Sequence, residues 1–260
     1  MLEGLLEVNE PNDLWEIAVK IHKDEGDGFL LTGGCDTRGV VHFSKYFDVL
    51  NKIKKELDLE IVVHTGLLNR SDAEAFKEIG IKAVLVDIIG SNRAIQEVYN
   101  LPNQTISDYD NLLALLDELD LPVVPHVLAG LEYGEINGEY TAIDMITKHN
   151  HLGIIIIVFM PIQGTPFQEV NSPPVDEVIK IINYAKQKTS KPIILGCARP
   201  RGKYRMELDQ KAVIAGIDAI ARPSITAYSE AEKRELEIHA SSTCCAQFTW
   251  KFAVETTEKR

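Results

Sequence analysis

The chain has 260 residues, of which 45% are hydrophobic and 25% charged, and this ordinary globular balance excludes general disorder. Its net charge of -12, without any Lys/Arg-rich block, excludes the basic surface on which non-specific nucleic-acid binding depends. Residues 1–4 lack the features of a signal peptide, and the apolar segment 153–160 is too short to span a bilayer, so we expect a cytoplasmic protein.

Short apolar segments alternate along the chain with amphipathic segments of helical periodicity. A leading helix is predicted over 12–25 with Asn12 or Asp13 as its cap, and a later helix from Ser71 with Glu74 as a capping-box residue. The other predicted helices are 43–57, 92–100, 107–119, 142–148, 175–188, 209–215 and 230–237. The predicted strands are 28–34, 60–66, 82–89, 122–130, 153–160, 193–195 and 218–223.

This alternation is typical of a parallel sheet wound with crossover helices. Several strands lack a polar alternate face, so both of their faces should be covered. Seven strands with a helix leading predict an α/β fold, a parallel (β/α) TIM-type barrel that is incomplete and lacks its first strand. A doubly wound open sheet is the alternative. We expect residues 1–237 to form the barrel and residues 238–260 to form a C-terminal tail that packs on it.

Polar residues recur where the predicted strands end, which is where sheets of this type carry their sites. A lone His or Asp at such a place is more often a hydrogen-bonding core residue, but the recurrence at seven strand ends favours a site. The residues concerned are Gly33, Gly34, Cys35 and Asp36, then His64, Asp87, His126, the segment 161–166, Cys197 with Arg199, and 222–224.

Several familiar catalytic signatures are missing from the sequence. There is no GxxxxGK[ST] loop, GxGxxG turn, HExxH helix or GxSxG elbow, and no lysine at a strand end for a Schiff base. These absences argue against a P-loop nucleotidase, a zincin, an α/β-hydrolase and a Schiff-base aldolase.

Five segments, in order on consecutive strand ends, carry a resemblance to a known family. FLLTGGCD is similar to a GGE-type turn, LVDIIGS to NLDTS, VLAGLEYGE to IVGLGE, FMPIQGTPF to KGTPL, and LGCAR with ELDQKAVIAGIDAIA to LSAGR followed by AGANSI. Over residues 10–236 the chain thus resembles the radical SAM superfamily, in particular its biotin synthase and lipoyl synthase branch. The resemblance implies SAM-dependent radical chemistry such as sulfur insertion.

The resemblance also implies cofactors and site residues. The cofactors would be S-adenosylmethionine (SAM) and a [4Fe–4S] cluster. Residues expected at the cofactor are Gly33, Gly34, Cys35, Asp36, Asp87, Gly164 and Thr165, and those expected to face substrate are His64, His126, Cys197 and Arg199. Arg199 aligns with an arginine ligand of the biotin synthase auxiliary cluster, but the cysteines of that cluster have no counterpart. Alternatively, Arg199, Arg201, Lys203 and Arg205 form an anion-binding corner or a solvated loop.

One departure from the family concerns the cluster itself. The diagnostic CxxxCxxC is absent, and by the resemblance we expect Met1 to lie just downstream of the position of its third cysteine. We therefore expect the cluster-binding segment to be missing from this chain through truncation, a wrongly assigned start or a split gene. Without three thiolates the cluster cannot be held in the family's way.

Two other functions stay open. In the first, a non-catalytic barrel binds a SAM-like metabolite or a partner subunit, and a second copy or a partner chain covers the open edge of the barrel. In the second, a metal-dependent hydrolase uses His64, Asp87 and His126, with Cys35 as a further ligand.

The adjacent cysteines Cys244 and Cys245 have no role in either of these functions. They are expected to be reduced thiols packed in the tail, since a disulfide between adjacent cysteines is strained. A cluster or metal contribution together with Cys35 and Cys197 is the less favoured alternative.

Overall fold

The computed structural model describes residues 5–240 and 244–250. The strands are β1 Gly28–Thr32, β2 Glu60–Thr65, β3 Ala83–Asp87, β4 Val123–Ala129, β5 Ile154–Val158, β6 Ile193–Leu195 and β7 Ala219–Ile220. The α-helices are α1 Pro11–Lys23, α2 Phe47–Leu57, α3 Arg70–Ile79, α4 Ile106–Glu118, α5 Glu139–Ile146, α6 Val175–Lys188, α7 Lys203–Ile214 and α8 Ile225–Lys233. Within these residues, no helix combines the length and the apolar character needed to cross a membrane.

All seven strands are parallel and lie in one sheet in chain order, from β1 at one edge to β7 at the other. The sheet curls into a half-barrel with helices between its strands. This confirms the predicted incomplete TIM-type barrel. A doubly wound sheet would reverse its strand order at a switch point, and this order has no reversal.

The two faces of the half-barrel have different apolar cores. Because side chains alternate along a strand, Ile61 and Val63 of β2 pack on the convex side against the helices, whereas Val62 points into the concave side. The concave cluster is continued by Leu85, Val124, Ile155 and Ile194. This explains why these strands read as continuous apolar runs: both faces are buried.

Two helix caps differ from the predictions. Helix α1 is capped by Glu10, whose side chain and that of Asp13 form a reciprocal capping box. Helix α3 is capped by Asn69, whose side chain accepts a hydrogen bond from the backbone N–H of Asp72. In both cases the cap precedes the predicted residue, because its oxygen must reach a backbone N–H two or three positions further on.

Three predicted helices were misplaced or mistyped. Helices α7 and α8 begin at Lys203 and Ile225 rather than at the predicted positions 209 and 230, since their first turns carry little of the apolar pattern used to find them. The segment predicted as a helix over 92–100 contains a π-helical turn, Ala94–Val98. These shifts leave the order of elements unchanged.

Residues 244–250 of the predicted tail lie on the concave face, where Ala246 is fully buried, whereas residues 238–240 are exposed. The far end of the segment 244–250 is held at the amino ends of the strands. Gln247 Nε2 donates to Glu60 Oε2 at 2.9 Å and Trp250 Nε1 donates to the same oxygen at 3.4 Å. Thr249 lies so close to Gly153 that a Cβ there would come within 2.8 Å of its methyl group. The rest of the predicted tail, residues 241–243 and 251–260, is outside the described residues.

The structure corrects the prediction that Arg199 faces substrate. Its side chain is fully buried and forms a two-pronged ion pair with Asp209 of α7, with Nε to Oδ1 at 2.8 Å and Nη2 to Oδ2 at 3.1 Å. It also donates to the carbonyls of Gly196 and Arg222, and Asp209 accepts from the backbone N–H of Ser224. The pair therefore joins the loops after β6 and β7 to α7, and neither an anion-binding corner nor a solvated loop describes Arg199.

We predict that Arg199→Ala destabilises the protein by about 3–5 kcal/mol, because it leaves the buried carboxylate of Asp209 without its counter-charge. Urea denaturation followed by circular dichroism measures the change. Arg201→Ala is the matched control: Arg201 is exposed in the same loop, and its loss should cost at most about 0.5 kcal/mol. Equal stability of the two variants would contradict a structural role for Arg199.

Candidate functional site

Polar side chains from three neighbouring strands meet at the carboxyl edge of the half-barrel. His64, Asp87 and His126 come from β2, β3 and β4, and Asp87 and His126 are direct partners in the strand register. His64 Nε2 lies 3.3 Å from Asp87 Oδ1, and the hydroxyl of Tyr99 donates to Asp87 Oδ2 at 2.7 Å. The prediction that these three strand ends carry neighbouring polar groups thus agrees with the geometry.

The two imidazoles stack on each other, with ring centroids 4.9 Å apart and 19° between the planes. One donor atom from each of His64, Asp87 and His126 lies within 4.8 Å of the others, close enough to share a cation. An imidazole nitrogen binds a metal in the plane of its ring, so one ring must turn before both can do so. Nδ1 of the buried His126 has no hydrogen-bond partner among the described residues, so no hydrogen bond at this atom opposes the turn.

The charges of this group follow from burial and from its hydrogen bonds. Burial raises the pKa of Asp87, but the hydrogen bond with His64, the two histidine charges and the Tyr99 hydroxyl outweigh it and hold the pKa at about 2. Burial, with the charge of His64, lowers the pKa of His126 to about 4. Burial and Asp87 raise the pKa of Tyr99. At neutral pH the site therefore holds a carboxylate, a neutral imidazole and a phenol that donates its proton.

Sequence reasoning missed Tyr99. It falls in the segment predicted as a regular helix over 92–100, where an aromatic residue reads as core packing. It follows the π-helical turn Ala94–Val98, and the phenol bonds back to Asp87 twelve residues earlier. No periodicity in the sequence signals this return.

The loop after β1 keeps the residues predicted at the cofactor exposed. Around Gly34 the space is open, since a Cβ there would meet no atom within 4 Å. The carboxylate of Asp36, in contrast, accepts hydrogen bonds from the backbone N–H groups of Arg38 and Val40 and interacts with His42. These contacts stabilise the loop that carries Asp36. Cys35 is exposed and lies beside Gly66 at the end of β2, outside the three-residue donor group.

Gly164 and Thr165 lie in the long loop between β5 and α6. The Thr165 hydroxyl donates to the carbonyl of Ile162 at 2.7 Å, and the N–H of Gly164 donates to Gln168 Oε1 at 3.1 Å. These contacts shape the loop, and the structure gives neither residue a contact with the histidine group. Their predicted role at the cofactor stays a prediction.

Cys197 is exposed in the loop after β6, and Cys244 and Cys245 lie in the tail and pack on the concave cluster. Hydrogen bonding with Cys245 lowers the pKa of Cys197 to about 6 and that of Cys244 to about 7, and Arg222 lowers that of Cys197 further. Among the described residues, no three cysteines bring their sulfurs close enough together to share a metal ion, so a four-cysteine site including Cys35 is not assembled.

The remaining space beside Asp87 is small. A cavity of about 20 Å³ lies between β3, β4 and α5, next to Asp87 and Tyr99. This volume admits about one water molecule. A ligand of cofactor size therefore does not fit in this cavity.

No protein-family model and no curated protein matches the sequence. Solved structures do match, and several of them are radical SAM enzymes. The chain is similar to HydG, a maturase of the [FeFe]-hydrogenase, with a TM-score of 0.62 and 16% identity over 87% of this chain and 52% of HydG. It is similar to methylornithine synthase (PylB), with a TM-score of 0.57 and 15% identity over 89% of this chain and 70% of that one. Streptococcus suis SuiB bound to S-adenosylmethionine matches with a TM-score of 0.55 and 10% identity over 79% and 47%.

The chain has the fold of the radical SAM enzymes. At 10–16% identity the likeness shows the fold alone, and the chain spans only about half the length of HydG and of SuiB. The donor set does not fit the family's cluster, because a [4Fe–4S] site needs three closely spaced thiolates and the four cysteines of this sequence contain no CxxxCxxC. Among the described residues no three cysteines lie close enough together to hold it, and we derive no reaction step through a cluster.

We predict a specific pH dependence of stability from His126. In the unfolded chain the pKa of His126 returns to about 6.5. Between pH 6.5 and pH 4 the unfolded chain therefore binds one more proton than the folded chain, and stability falls as the pH falls. Of this loss, on the order of 3 kcal/mol belongs to His126. The free energy of unfolding of metal-free protein, measured by urea denaturation at several pH values, should therefore fall less steeply with falling pH in His126→Gln than in the wild type. Parallel curves for the variant and the wild type would contradict this.

Proposed function

We propose that this chain is a radical-SAM-type protein of the biotin and lipoyl synthase-like branch. In this proposal the carboxyl edge of the half-barrel binds SAM and a small-molecule substrate for radical chemistry such as sulfur insertion. One observation carries the proposal: the half-barrel shares its fold with radical SAM enzymes and presents polar groups along that edge. The five loop segments of the resemblance lie in order along the same edge.

The roles proposed for the residues follow from their positions. The open space at Gly34 allows a ligand to approach the backbone of the loop after β1, and Gly33 extends that surface. Asp87 is an ionised acceptor held in place by Tyr99 and His64, suited to a ligand hydroxyl or ammonium group. His126, neutral at physiological pH and without a hydrogen-bond partner at Nδ1 among the described residues, is suited to form a hydrogen bond with a substrate group.

The cluster would have to come from thiolates other than a CxxxCxxC of this sequence. We propose that a further segment or a partner chain supplies them, and that the same partner or a second copy covers an open edge of the sheet. Among residues 5–240 and 244–250, strands β1 and β7 each have a neighbour on one side only, and unpaired edges are normally covered in native proteins. The cytoplasm, where thiols stay reduced, suits such a protein.

We predict that the protein binds SAM and that Gly34→Val weakens this binding about tenfold, or 1.4 kcal/mol, because the side chain fills the approach to the backbone. Isothermal titration calorimetry measures the affinity. A Cβ at Gly34 meets no atom, so the thermal midpoint should not change. Anaerobic reconstitution with iron and sulfide, with iron analysis and an assay for SAM cleavage, then tests the chemistry. A reconstituted protein that neither binds nor cleaves SAM would contradict the proposal.

A second candidate function, hydrolysis by a metal-activated water, is favoured by the convergence of His64, Asp87 and His126 and by the unpartnered Nδ1 of His126. Imidazole and carboxylate ligands suit a divalent cation such as Mn²⁺.

We predict for this candidate that one Mn²⁺ binds per chain, and that His126→Gln weakens binding about tenfold. Electron paramagnetic resonance of free Mn²⁺ measures the uptake. His42→Gln is the control, since His42 contacts Asp36 in the loop after β1, outside the donor group. Equal uptake by His126→Gln and His42→Gln would exclude this candidate.

A further inference from the structure

Four basic residues come from the loop after β6, the first turn of α7 and the loop after β7, and the proposed function gives them no role. They are Arg201, Lys203, Arg205 and Arg222, called here the basic corner. The whole chain has a net charge of -12, so this corner has a charge opposite to that of the protein. Such a concentration of one sign at one place indicates a binding partner of the other sign.

The buried Arg199 joins the segments that carry the basic corner. Its guanidinium donates to the backbone carbonyl of Arg222 at 3.2 Å, and its own carbonyl accepts a hydrogen bond from Arg205 Nη2 at 3.4 Å. The backbone of Arg222 and the guanidinium of Arg205 are thus attached to one residue, two positions before Arg201. Burial, the charge of Arg199 and, to a lesser extent, the charges of Arg201 and Arg222 lower the pKa of Arg205.

The carboxylates of α7 do not neutralise this positive charge. Both of them are already paired, Asp209 with Arg199 and Glu207 with Lys211, each at 2.8 Å. Among the residues that the structure describes, no ion pair involves a side chain of the basic corner. Nε of Arg205 is buried and, within the same residues, has no hydrogen-bond partner. Because an unpaired buried donor costs free energy, this atom points to an acceptor that the chain does not supply.

The first turn of α7 adds a feature that attracts an anion. Gly202 precedes this turn with a φ of +67°, no side chain caps the helix there, and no acidic residue lies in the turn. The N–H groups and the positive end of the helix dipole are therefore not offset by the chain itself. A Cβ at Gly202 would meet no atom within 4 Å, so the space beside it is open.

We propose that the basic corner binds the phosphate group of a small-molecule substrate. A guanidinium presents paired N–H donors that match the oxygens of a phosphate. A phosphate monoester carries about two negative charges at neutral pH, which suits several unpaired cations better than the single charge of a carboxylate. The corner follows β6 and β7 at the carboxyl edge, the same edge as His64, Asp87 and His126. Its role as a substrate subsite rests on the proposed function, whereas the phosphate site itself does not.

Isothermal titration calorimetry of the metal-free full chain with inorganic phosphate, in the absence of SAM, tests this site. We expect one phosphate per chain and a loss of affinity of about tenfold in Arg205→Gln and in Arg222→Gln. The second variant keeps the backbone carbonyl that Arg199 binds, and its side chain is exposed, so its thermal midpoint should not change. Arg70→Gln is the matched control, because it removes the same charge from α3, where Arg70 pairs with Glu118 at 2.6 Å.

Three results would overturn the proposal. The first is equal phosphate affinity in Arg222→Gln and Arg70→Gln, and the second is no binding of millimolar phosphate by the wild type. The third is acetate binding as tight as that of phosphate, since the corner would then recognise a single negative charge equally well. A chain that binds phosphate but neither binds nor cleaves SAM keeps this site and loses the proposed function. A chain that binds SAM but not phosphate gives the reverse result.

Discussion

The concave face of an open parallel sheet must be covered, and this requirement governs much of the structure. Val62, Leu85, Val124, Ile155 and Ile194 line that face, and exposing such side chains costs about 1.5–3 kcal/mol each. A closed barrel would fill this space with layers of its own strand residues. In this open half-barrel the tail residues 244–250 lie against the face instead.

The amino and carboxyl ends of the half-barrel differ in their contacts with the tail. At the amino ends of the strands, Glu60 accepts hydrogen bonds from Gln247 and Trp250 and pairs with Lys82 at 3.5 Å. The carboxyl edge carries His64, Asp87 and His126 from β2, β3 and β4. The apolar contacts of the tail thus lie on the concave face, and the polar groups lie at the carboxyl edge.

Much of the fold could be predicted because apolar periodicity and strand ends are local properties of the sequence. The seven strands, their parallel direction and helix 175–188 appear as predicted. The positions of His64, Asp87 and His126 followed from one rule, that parallel strands bring their carboxyl ends together. The contacts that the sequence could not reveal are those between distant segments. The pairing of Arg199 with Asp209, the return of Tyr99 to Asp87 and the approach of the tail to Cys197 each depend on tertiary packing.

Arg199 shows why a motif match does not by itself define a role. Its place in the segment LGCAR puts it two residues after Cys197, where the resemblance points to the reaction chamber. Consecutive side chains in a loop can point in opposite directions, and here the thiol is exposed at the mouth while the guanidinium is fully buried. A buried guanidinium needs a carboxylate and carbonyls around it, and Asp209, Gly196 and Arg222 supply them. The same arginine therefore holds the loop that presents Cys197, and it contributes to the barrel mouth through position rather than through contact with a ligand.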